Sequence, residues 1–120
     1  MTRAEWDANM TRWMHRKDLA GDLDTAWLFA TEKFFNAWLK ADGRTIYATD
    51  DALLTAAPNP MQHAGMMYLH NLAQDDAGLQ RENRLFDFAM QDFAINYSVQ
   101  NITPQMTRPY YPEEDTADAP

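Results

Sequence analysis

The stretch DTAWLFATEKFFNAWLK, residues 24–40, places Trp27, Leu28, Thr31, Phe34, Phe35, Trp38 and Leu39 on one broad stripe of a 3.6-residue repeat. Glu32, Lys33, Asn36 and Lys40 fall on the opposite side. A lone helix cannot hide aromatic rings that each cover roughly 150–250 Å². The stretch therefore predicts the central helix of a bundle, with other helices packed around it.

Toward the N-terminus, Thr2 followed by Glu5 reads as a capping box, and Ala4, Trp6, Met10, Trp13 and Met14 recur at helical spacing. A first helix is expected from about Arg3 to His15, closed by Arg16 and Lys17 against the negative end of the helix dipole. Gly21 marks a short connection, and Asp22 or Asp24 can accept the first free amides of the central helix. Beyond that helix, Gly43 is suited to a left-handed cap. Thr45-Ile46-Tyr47 has strand-like residues and Thr49-Asp50-Asp51 looks like a helix start, which predicts one extended segment and one short helix before Pro58.

Asn59-Pro60 is a start signal for a third helix, reaching about Gln74 with Met61, Ala64, Gly65, Tyr68, Leu69 and Leu72 on one side. Asp75-Asp76 breaks and recaps the chain. A fourth helix follows from about Ala77 to Val99, with Leu79, Phe86, Ala89, Met90, Phe93 and Tyr97 inside and Arg81, Glu82, Arg84, Asp87 and Asp92 outside. The fold class is all-α: a four-helix bundle-like domain over residues 1–100, with a short irregular segment between helices two and three.

From Asn101 the periodicity ends. NITPQMTRPYYPEEDTADAP has four prolines and an acidic end, and cannot build its own core. Ile102, Met106, Tyr110 and Tyr111 are too apolar for a solubility tag, so residues 101–120 read as an extended arm that orders on a partner, the alternative being a disordered tail without a role.

At 120 residues the chain is one domain, and its net charge of −8 argues against a nucleic-acid-binding surface. With no cysteine, disulfides and thiolate metal sites are excluded, and assembly inside a cell is expected. The longest purely apolar run, Ala26 to Ala30, falls far short of the roughly 20 residues of a membrane span. Glu5 and Asp7 interrupt any signal core.

Chemistry-bearing residues are scattered. His63 and His70 stand about 10 Å apart on one helix, too far for one metal. The acid pairs Asp50-Asp51 and Asp75-Asp76 sit at helix starts, where capping explains them. There is no phosphate loop or nucleophile elbow, and Ser98 is the only serine. No enzyme, cofactor or metal is expected. Of the eight methionines, Met66 and Met67 straddle the edge of an apolar stripe, as do Trp6 and Phe29. Either they fill gaps in the core, or they are spare apolar surface for a subunit interface.

Trp13-Met14-His15-Arg16-Lys17-Asp18-Leu19 followed by Trp27, Leu28, Ala30, Thr31, Glu32, Phe35 and Leu39 resembles head-to-tail adaptor proteins of tailed bacteriophages, also called connector or head-completion proteins. Pro60 to Leu72, Asp75-Asp76 and Leu85 to Tyr97 extend the similarity to about residue 100. The resemblance implies a homo-oligomeric ring, usually of twelve copies, in the virion neck after assembly in the host cytoplasm. It further implies docking on the portal protein, contact with a tail or nozzle protein, and double-stranded DNA passing through without specific binding. The arm of Ile102, Pro104, Met106, Arg108, Tyr110 and Tyr111 would grip the portal, and Trp6, Trp13, Arg16, Phe29, Met66 and Met67 form the candidate subunit interface. The chain departs from many relatives at 42–59, where they carry a longer β-rich insertion. The alternative from another class is a small acidic inhibitor or DNA mimic acting on a host nucleic-acid-binding protein.

Overall fold

The computed structural model describes residues 1–106, which are all-α with no strand among them. Six helices follow in order: α1 (Arg3–Met14), α2 (Leu23–Trp38), α3 (Gly43–Ile46), α4 (Asp50–Ala56), α5 (Pro58–Leu72) and α6 (Asp76–Met106). A 3-10 turn, Ala20–Asp22, leads into α2. The four long helices are those expected, with ends moved by a few residues.

The capping box of α1 is present. Thr2 Oγ1 accepts from the Glu5 amide at 3.2 Å, and Glu5 Oε1 accepts from the Thr2 amide at 2.8 Å. The helix closes on His15 in the left-handed conformation, φ 54°. The central stretch likewise ends on a left-handed residue, but this is Leu39, φ 56°, rather than Gly43. Gly43 serves another purpose: a Cβ there would lie 2.6 Å from the Trp38 ring.

The extended segment expected around Thr45 is a helical turn, α3. Its neighbour Tyr47 stacks on Trp38 with ring centroids 5.6 Å apart, so tertiary packing overrides the local strand preference. Thr49 caps α4 by accepting from the Ala52 amide at 3.1 Å. The start of α5 also shifts, with Pro58 in the first turn and Ala57 as the cap position in place of Asn59.

The helix at the centre is α5, not α2. It packs against α1, α2, α4 and α6, and buries Met61, Ala64, Gly65, Met66, Met67 and Leu69. Small residues make this possible, because a Cβ on Gly65 would run into the Trp6 ring and the Met10 sulfur. Trp6 itself is fully buried, donates its indole N–H to the Met61 carbonyl at 3.1 Å, and meets Trp27 edge-on at 5.1 Å. From α2, Ala26, Trp27, Ala30 and Phe34 are buried, whereas Leu28 and Leu39 are exposed. The stripe of the central stretch is thus rotated relative to the sequence expectation.

The second half of the core is aromatic. Phe34 meets Phe93 at 5.0 Å, and Trp38 meets Phe93 and Tyr97 at 5.1 Å each. A hairpin joins α5 to α6 through Gln74, φ 59°, and Asp75, whose carboxylate accepts from the Gly78 amide at 3.0 Å. At 1.5 Å per residue the 31 residues of α6 span about 46 Å, more than any other element. They account for much of the elongated 67 × 30 × 23 Å shape.

Candidate functional site

The six residues expected at a subunit interface divide in two. Trp6, Met66 and Met67 are buried inside the protomer. They are core, not spare edge, because α5 packs against α1, α2 and α6. Trp13 and Phe29 are exposed, at 42% and 37%. Phe29 leans on Tyr68 with ring centroids 5.5 Å apart, and exposed Arg16 is paired to Asp18 at 2.6 Å.

The arm residues divide as well. Ile102, Pro104 and Met106 belong to the last turns of α6, so the chain is not extended from Asn101 as expected. Arg108, Tyr110 and Tyr111 lie outside the described residues.

A surface that the sequence reading missed runs along α6. Leu85, Phe88, Ile95 and Val99 are 37%, 61%, 61% and 50% exposed. With Asp92 between them they recur at intervals of three and four, forming a second apolar stripe. At 100° per residue it lies about a third of a turn from the buried face of Glu82, Phe86, Phe93 and Tyr97. The expected inner face is Leu79, Phe86, Ala89, Met90, Phe93 and Tyr97; Leu85, Phe88, Ile95 and Val99 carry the same kind of signal in a different register.

Beside the stripe is a groove of about 440 Å³ between the α4–α5 junction and the later part of α6. Tyr47, Phe93 and Tyr97 supply aromatic walls, Pro58 and Pro60 a rigid one, and Asn59, Asn96 and Asp92 the polar rim. Lys40 lies over the Tyr97 ring at 5.7 Å. Burial, then the proximity of Tyr97, pushes the Tyr47 hydroxyl above its ordinary value, so it is neutral and can donate a hydrogen bond.

The titratable groups gather at the α5–α6 hairpin. Glu82, expected outside, is buried, with its carboxylate 2.7 Å from His63 Nδ1 and 3.5 Å from Arg81 Nε. Burial pushes this carboxyl up, but the His63 hydrogen bond and the charges of His63 and Arg81 outweigh it, holding it below its ordinary 4.5. His70 is buried, and its Nδ1 comes within 3.1 Å of Asp75 Oδ2 without the alignment of a hydrogen bond. The cluster is pairwise: among the described residues no three His, Cys, Asp or Glu side chains converge as metal ligands would. Its geometry locks the hairpin, joining α5 to α6 across 19 residues of sequence.

Other acids are spent locally. Asp24 pairs with Arg3 at 2.6 Å, while Asp50 and Asp51 occupy the first turn of α4. No described helix is long and apolar enough to cross a membrane. The described residues form an all-α fold with an exposed apolar stripe and an aromatic groove on α6. Searches against family models, curated proteins and solved structures found no match to this chain.

Proposed function

We propose that the protein is a structural adaptor of a tailed-bacteriophage neck, assembling with copies of itself on the portal, receiving the tail or nozzle protein, and framing the channel through which DNA passes. The observation that carries the reading is the exposed stripe of Leu85, Phe88, Ile95 and Val99 on the longest helix. Large apolar groups aligned at helical spacing on a solvent face mark an interaction surface. Trp13 on α1 and Phe29 on α2 are further exposed aromatic groups. The resemblance described above supplies the setting, and a net charge of −8 suits a channel that DNA must traverse without sticking.

The test is electron microscopy of the purified chain mixed with the portal protein encoded by the same genome. A ring of copies on the portal supports the reading. A chain that stays monomeric and leaves the portal bare overturns it.

A further inference from the structure

We infer that the groove between the α4–α5 junction and α6 is the docking site of the chain's own C-terminal segment Pro109-Tyr110-Tyr111-Pro112, folded back onto the protomer that carries it. The inference does not rest on the adaptor reading, and it gives to the protomer's own groove the Tyr110 and Tyr111 that the resemblance gives to the portal.

Three observations converge on this occupant. The first is chemical. Grooves walled by aromatic rings take proline-rich segments, whose preformed polyproline geometry loses little entropy on docking. Tyr47, Phe93 and Tyr97 make such walls, and Pro-Tyr-Tyr-Pro is the proline- and aromatic-rich stretch nearest to them along the chain.

The second is reach. Helix α6 ends at Met106, and Tyr97 on the groove wall lies nine residues earlier, about 14 Å back at 1.5 Å per residue. A polyproline-like chain advances about 3.1 Å per residue, so after one residue spent on reversal about five more cover that distance. Tyr111 and Pro112 then come level with Tyr97 and Asn96. The Tyr111 hydroxyl meets a rim of Asn59, Asn96 and Asp92 that can accept hydrogen bonds.

The third is charge. The segment is followed at once by Glu113-Glu114-Asp115, and Lys40 lies over the ring of Tyr97, a residue of the groove wall. The acidic end is thereby drawn toward a cation.

Because the chain has no cysteine, a pair of introduced thiols reports on this contact without background. In the full-length chain, Thr55→Cys on the exposed groove rim is combined with Pro112→Cys, and disulfide formation is followed under mild oxidation. The control pairs Pro112→Cys with Gln80→Cys, an exposed site near the start of α6. We expect an intramolecular disulfide at least tenfold faster than the control, at a rate independent of protein concentration. Equal rates would overturn the proposal, and so would a product that is only intermolecular, since it would place a neighbour's tail in the groove.

A second measurement leaves the groove untouched. Tyr110→Ala with Tyr111→Ala should shift the side-chain amide resonances of Asn59 and Asn96 in the otherwise native chain. Unchanged resonances would contradict the docking.

Discussion

Replacing Gly65 by alanine probes the crossing on which the two ends of the core depend. In an exposed helix this change stabilises by about 1 kcal/mol, because glycine loses more backbone freedom on folding. Gly65 has no positive φ that would add strain. Yet the new Cβ would collide with the six-membered ring of Trp6 and lie 2.9 Å from the Met10 sulfur. The ring cannot swing away: it is fully buried, tied to the Met61 carbonyl at 3.1 Å, and wedged against Trp27. Overpacking of a filled core costs about 1–3 kcal/mol, so the two terms leave a net loss of up to about 2 kcal/mol. For a domain of this size that lowers the melting temperature by up to roughly 10 °C. Thermal and urea unfolding followed by circular dichroism measure it. Gly21→Ala is the companion variant, since nothing lies within 4 Å of a Cβ there. A Gly65→Ala protein more stable than the parent would refute the close crossing of α1 over α5.

Further outcomes follow from the same geometry. Glu82 is held below its ordinary 4.5 in the folded protein, so its contribution to stability is present above that pH and is lost as pH falls through the folded value. The urea midpoint should therefore drop below pH 4.5, and Glu82→Gln should flatten that part of the profile. His63→Ala leaves the buried carboxylate without its 2.7 Å partner and should cost about 1–3 kcal/mol at pH 7, read from the same urea curves. Phe88→Asp with Ile95→Asp alters exposed positions only and should shift the melting temperature by less than about 3 °C, while abolishing self-association in light scattering.

The four long helices are legible in the sequence because each signal is local. Thr2 and Glu5 cap α1, Asp75 caps α6, and Phe34, Phe86 and Phe93 recur on faces that the structure buries. What sequence did not reveal depends on contacts between elements. Thr45-Ile46-Tyr47 has strand-like residues, but the stack of Tyr47 on Trp38 holds the chain as a helical turn. Glu82 looks solvated on its own helix, and its partner His63 lies on another. Trp6, Met66 and Met67 sit at the margins of their stripes, yet Gly65 and Ala64 let neighbouring helices close over them. The Leu85–Phe88–Ile95–Val99 stripe is visible in the sequence only when α6 is allowed two apolar faces. The periodicity ends near Val99, whereas the helix runs on to Met106.

In the function proposed here the exposed face of α6 is covered by other copies of the chain on the portal. Mass photometry of the full-length protein titrated onto purified portal rings tests this proposal. The expected result is stepwise addition saturating at one copy per portal subunit, and none for the Phe88→Asp, Ile95→Asp double variant. Saturable binding by that variant equal to the parent's, or no binding by the parent, would contradict it.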